Sequence, residues 1–187
     1  GSEILPAVLH YMGKDAYSSN QADYTAAAAV LKAVRPHVTL FSSSGYINDM
    51  VNGSICLAVG WSGDISIARQ RAIDTKSGQK IEALVPKNGG LIFFDSMAIP
   101  ADAANVANAH AFINFIMRPE VHASLTNQVF YANPNKEARK FVVPEVANNP
   151  AVFPNSEQMK TMVAPKALGN DIRRLQTRIF TQFKTGR

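Results

Sequence analysis

Gly60-Trp61-Ser62-Gly63-Asp64 and Phe93-Phe94-Asp95 each set an aromatic ring near a carboxylate, where a strand is expected to end or bend. An aromatic face attracts a cation through its quadrupole, and a carboxylate attracts the same cation by charge. Two such pairs in one pocket suit an elongated organic cation with an ammonium at each end. Each carboxylate contributes attraction of about 4 kcal/mol at 4 Å in an effective dielectric of 20, before desolvation costs. Nothing else in the chain has spacing that points to chemistry as directly.

Each segment also has an ordinary structural explanation. Trp61 could pack in a core while Asp64 caps the helix that follows it. Asp95, placed inside the apolar run Leu91–Ile99, would be costly to bury alone and could pair with a lysine or arginine. Phe130-Tyr131-Ala132-Asn133-Pro134-Asn135 adds aromatics just before a turn, as a ligand contact or as a hydrophobic plug. Ser43 and Ser44 follow a short apolar run and could meet a ligand or cap the next helix.

Catalytic signals are weak. His10, His37, His110 and His122 have no metal-ligand spacing, and no Gly-x-Ser-x-Gly elbow is present. The Gly-x-x-Gly of residues 60–63 is too short a signature for a dinucleotide site, and no phosphate loop exists. The expectation is a binding protein with no catalytic residue, no metal and no cofactor. A hydrolase using Ser43 or Ser44 stays as a competing reading.

The totals fit that expectation. The 187 residues are 47% hydrophobic, enough for one domain or two small ones. No run of eighteen apolar residues exists, so no membrane insertion is expected. The single cysteine, Cys56, excludes an internal disulfide and a cysteine-rich metal site, and its apolar neighbours Ile55, Leu57 and Val59 predict a buried position. The net charge of +5 is concentrated late: residues 136–187 hold ten Lys and Arg against four Asp and Glu. The part with the aromatic–carboxylate pairs is slightly acidic, which argues against nucleic acid as a partner.

Stepping along the chain, apolar spacing predicts helices over Glu3–Met12, Ala22–Val34, Tyr46–Val51, Asp64–Thr75, Ala103–Met117, Pro119–Val129 and Asp171–Phe183. Gly13 and Asn52-Gly53 are natural stops, and Pro36 and Pro119 mark further boundaries. Strands are expected at Val38–Phe41, Ser54–Gly60, Ile81–Val85 and Leu91–Ile99. On the last helix, Arg173, Arg174 and Arg178 read as a solvated outer face. Strands alternating with helices indicate an α/β fold built on βα units, although the last seventy or so residues carry almost no strand to cover.

Several stretches resemble the polyamine-binding periplasmic proteins, the solute-binding subunits of putrescine and spermidine ABC importers. They are Val8 to Asp15, Tyr46 to Gly53, Gly60 to Asp64, Phe93 to Pro100, Phe130 to Lys136, and the ending from Gln176 through Arg187. The resemblance covers nearly the whole chain. It implies a type II periplasmic solute-binding fold with two α/β lobes that close on the ligand, and a periplasmic protein that hands a polyamine to a membrane permease. The family's chain begins well before Glu3, with a secretory signal and most of the first lobe. The resemblance therefore implies a C-terminal fragment whose fold is incomplete. Residues 1–84 would be the later part of the second lobe and residues 85–187 the segment returning to the first. The family's ligand residues map onto Glu3, Ser43, Trp61, Asp64, Phe93, Asp95 and Tyr131. Glu3, Trp61 and Asp64 would come from one lobe, and Phe93, Asp95 and Tyr131 from the other. Spermidine-type members tend to have tryptophan where Phe93 stands, so the resemblance favours putrescine over spermidine. It also implies that the truncated chain, with first-lobe surfaces exposed, associates with itself. A solute of another kind, such as an amino acid or a sugar, on the same fold is the alternative.

Overall fold

The computed structural model describes residues 1–186. Arg187, the end of the C-terminal motif, lies outside the described residues.

Contacts divide the chain into two compact units, each built from separated segments. Among the described residues the first comprises 1–41, 85–94 and 156–186; the second comprises 42–84 and 95–155. Neither unit is a continuous stretch on one side of residue 84. The units themselves draw on segments from both sides of it.

In the first unit, α1 (Ile4–Tyr11) and α2 (Gln21–Val34) pack together, and α2 also packs on α9 (Asn170–Thr185). Leu5 and Leu9 of α1, Tyr24, Ala27 and Leu31 of α2, and Ile172 and Ile179 of α9 form one buried cluster. Their spacing of three, four or seven residues puts each set on a single helix face. Burying a leucine such as Leu9 stabilises by about 1.5–3 kcal/mol. The Tyr24 hydroxyl, taken inside with its ring, donates to the Ser18 carbonyl at 2.9 Å and so avoids an unmet polar group. Asn20 caps α2, its side-chain oxygen accepting from the Ala22 N–H at 3.0 Å. Gly13 ends α1 at φ +71°, a conformation that costs glycine little. A short α8 (Ser156–Lys160) precedes α9.

The second unit carries the site. Here α3 (Tyr46–Val51) packs on α4 (Ser62–Asp74), with Tyr46, Ile65, Ala68, Ala72 and Ile81 buried together. Arg71 of α4 donates to the Asn48 side-chain oxygen at 3.0 Å, a further tie between the two helices. A second cluster joins α6 (Pro119–Val129), the 3-10 turn at Lys136–Phe141 and α7 (Pro144–Ala147) through Ala123, Ala138, Val142, Val146 and Val152. Between them in sequence, α5 (Val106–Ile116) buries none of its residues. All seven expected helices are present with boundaries shifted by at most a few residues.

The strands require a correction. Among the described residues the only β pairing is an isolated parallel bridge between Leu91 and Val163, made by the Ile92 N–H to the Val163 carbonyl and the Val163 N–H to the Gly90 carbonyl. Val38–Phe41, Ser54–Gly60, Ile81–Val85 and the remainder of Leu91–Ile99 carry no ladder. A strand is stable through its neighbours, and these apolar runs have none beside them here. Leu57 is accordingly 83% exposed and Phe94 67% exposed. Cys56 is exposed as well, against the expectation that it is buried, because it shares the unpaired run. Asp95 is exposed for the same reason and forms no ion pair among the described residues.

Candidate ligand-binding site

The second unit brings Asp64 to the hydroxyls of two tyrosines. Tyr46 donates to Asp64 Oδ2 at 2.7 Å, and Tyr131 donates to Asp64 Oδ1 at 2.9 Å. The carboxylate is half-buried, stands in the first turn of α4, and pairs with no lysine or arginine among the described residues. Asp64 is therefore not the cap of its helix. Trp61 occupies that position with extended backbone, φ −85° and ψ 144°, and supplies no side-chain cap. The helix dipole instead favours the negative charge of Asp64 near the N-terminus.

Local structure delivers each partner. Tyr46 opens α3 with its ring in the buried cluster, and its hydroxyl also accepts from the Trp61 N–H at 3.4 Å. Phe130 ends α6 in the left-handed region at φ 58°, which turns the chain just before Tyr131. The next residues are pinned: Asn133 donates to Thr126 Oγ1 at 2.8 Å, and Asn135 donates to the Met117 carbonyl at 2.9 Å. Asn-Pro-Asn is therefore a fixed turn that aims Tyr131, where the sequence left open a plug or a ligand contact.

Gly60 and Gly63 have a steric reason to be glycine. A Cβ on Gly60 would lie 2.6 Å from the Tyr46 hydroxyl, and one on Gly63 would overlap the Tyr131 ring. The Gly-x-x-Gly spacing serves two tyrosine rings that lie against the backbone, in keeping with its weakness as a phosphate signature.

Both phenols hold their protons above the ordinary value of 10.0, first because burial disfavours the phenolate and then because Asp64 accepts the hydrogen bond. They stay neutral and donate to the Asp64 carboxyl oxygens.

The remaining expected residues are more scattered. Trp61 is 40% exposed, so it is not a core residue. Ser43 is exposed, and the loop before α3 is fastened by Ser42 instead, whose Oγ accepts from the Ser44 and Gly45 N–H groups. Trp61, Asp64, Asp95, Tyr131 and Ser43 fall in the second compact unit, while Glu3 and Phe93 fall in the first. That grouping differs from the expected one, in which Asp95 and Tyr131 stand apart from Trp61 and Asp64. Glu3 sits just before α1, half-buried, accepting from the Ser2 hydroxyl, and Phe93 is 42% exposed. Among the described residues no cluster of His, Cys, Asp and Glu could hold a metal, and no helix is long and apolar enough to cross a membrane.

Tyr46 was missed from the sequence. The signal that could have found it is the pair of glycines flanking Trp61, since a glycine outside a turn often marks close approach of a ring.

Residues 6–154 match the model of the family described as bacterial extracellular solute-binding protein. Over 186 residues the chain is 41% identical to the putrescine-binding periplasmic protein PotF of Escherichia coli, covering 99% of this chain and 50% of that one. It is also 41% identical to the putrescine-binding periplasmic protein SpuD of Pseudomonas aeruginosa, covering 100% of this chain and 51% of the relative. A solved structure from Listeria monocytogenes, described as a spermidine/putrescine ABC transporter, aligns at TM-score 0.85 and 26% identity over 100% of this chain and 56% of that one. The chain thus spans about half the length of the relatives it matches, and within that half the described residues contribute helices and one bridge rather than a sheet. With the family model covering most of its length, the chain belongs to the bacterial extracellular solute-binding proteins.

Proposed function

We propose that this chain is part of a periplasmic solute-binding protein that captures a polyamine, putrescine in preference to spermidine, and delivers it to an ABC transporter permease. The observation that carries the reading is Asp64: a half-buried carboxylate with two hydroxyl donors, an exposed indole at Trp61 nearby in sequence, and no cationic partner among the described residues. A carboxylate accepts at about four lone-pair positions, so two remain for an ammonium after both tyrosines are counted. The ring of Trp61 adds cation–π attraction of about 0.5–2 kcal/mol to the same charge. Similarity to relatives named for putrescine supports the choice of ligand.

The proposed ligand set is Glu3, Ser43, Trp61, Asp64, Phe93, Asp95 and Tyr131. Within it, Asp64 and Asp95 each neutralise one end of the diamine. No residue of the set is assigned a catalytic role.

Titration calorimetry on the intact protein tests this. Putrescine is expected to bind more tightly than spermidine, and a neutral sugar or an amino acid to give no saturable heat. Asp64→Asn is expected to cost about 2–3 kcal/mol, roughly 30- to 150-fold in Kd, since it leaves an ammonium without its counter-charge. Asp95→Ala is expected to weaken binding as well. Tight binding of a sugar or amino acid, or polyamine affinity indifferent to both substitutions, would overturn the reading.

A further inference from the structure

Tyr46 stands outside the proposed ligand set, yet it is the most firmly held group around Asp64. We infer that Tyr46 is the positioning residue of the cation site: its hydroxyl links the Asp64 carboxylate to the Trp61 backbone, so that acid and indole present themselves to one ammonium in fixed register. The inference rests on the polyamine reading and deepens it.

Three observations carry it. The Tyr46 ring is only 6% exposed and packs among Ile65, Ala68, Ala72 and Ile81, so its hydroxyl has one place to be. That hydroxyl uses both of its capacities at the site, accepting from the Trp61 N–H at 3.4 Å and donating to Asp64 Oδ2 at 2.7 Å. Gly60, immediately before Trp61, leaves room for the phenol where a side chain would strike it.

The two tyrosines thus differ in kind. Tyr131 is half-buried, sits beyond the end of a helix, and is itself in the proposed ligand set, so it can exchange its bond to Asp64 for a contact with ligand. Tyr46 is inside the unit and cannot. Its bond to Asp64 persists whether or not a cation is present, and it holds the carboxylate in one rotamer so that less freedom is lost when the ammonium arrives. A donor to the charged oxygen also makes a stronger bond than one between neutral groups.

The alternative is that Tyr46 matters only as a packed ring. Tyr46→Phe keeps the ring and removes the hydroxyl, and a double-mutant cycle with Asp64→Ala tells the two apart. In the intact protein, Tyr46→Phe is expected to weaken putrescine binding about tenfold. In the Asp64→Ala background the same change is expected to cost less than about twofold, because the group it positions is gone. An equal cost in both backgrounds, or none in either, would overturn the inference.

Should the unsubstituted protein show no heat with putrescine or spermidine, the polyamine reading fails and the role of Tyr46 is decided separately. Phenolate absorbance during alkaline titration is then the readout. Asp64→Ala is expected to lower the pH at which two tyrosines ionise, one of them absent from Tyr46→Phe. An unchanged alkaline curve would remove Tyr46 from the site altogether.

Discussion

Asp64 is the residue on which the site turns, and its neighbours are shaped around it. Gly63 has ordinary backbone geometry, so its need for glycine is steric rather than conformational: the Tyr131 ring occupies the space of a Cβ. Gly63→Ala is expected to displace Tyr131 from Asp64, lower stability by about 1–3 kcal/mol and weaken polyamine binding, checked by thermal denaturation beside calorimetry. Removing the crowding ring with Tyr131→Ala in the same chain should recover part of the lost stability. The two phenols also predict a pH dependence. Tyr46 and Tyr131 keep their protons above 10.0 in the folded protein, whereas unfolded tyrosines release them near that value. The stability they contribute is therefore complete below about pH 10 and is lost as pH rises beyond it. The thermal midpoint is expected to fall more steeply above that pH in the unsubstituted protein than in the Tyr46→Phe/Tyr131→Phe variant.

At the scale of elements, helices were legible and strands were not, for one physical reason. A helix satisfies its backbone within itself, so the spacing of Leu5, Leu9 and the caps around Asn20 and Gly13 suffices to place it. A strand needs a neighbour, and the apolar run Ser54–Gly60 says only that it could be covered, not by what. Cys56 was misplaced by that same ambiguity, and Asp95 looked buried only on the assumption of a ladder. In the site, the glycines and the acid of Gly60–Asp64 were readable as a cluster. The approach of Tyr46 from 18 positions before Asp64 depends on how α3 packs against α4, which no local pattern encodes. The helical reading has its own consequence: Asn20→Ala is expected to cost about 1 kcal/mol through loss of the α2 cap, seen as a lower denaturant midpoint with unchanged slope.

At the scale of the whole molecule, the charge is uneven and much apolar surface is open. The basic excess lies in residues 136–187, and Arg173, Arg174 and Arg178 are exposed on α9, as a solvated helix face requires. Leu57, Val59, Leu84, Phe94, Phe112 and Phe115 are exposed large apolar residues, an unusual number for a chain of this size in isolation. The 187-residue chain alone is expected to associate with itself, and sedimentation velocity would show a mass rising with concentration; a single monomer boundary at every concentration would contradict this. The central claim, that Asp64 is a cation's counter-charge held ready by tyrosine hydroxyls, is tested most directly by the structure of the intact protein crystallised with putrescine. The expected result is one ligand nitrogen about 2.8 Å from an Asp64 oxygen, with the Tyr46 bond to the other oxygen retained. A diamine bound elsewhere, or an Asp64 carboxylate turned away to a lysine or arginine of the protein, would contradict it.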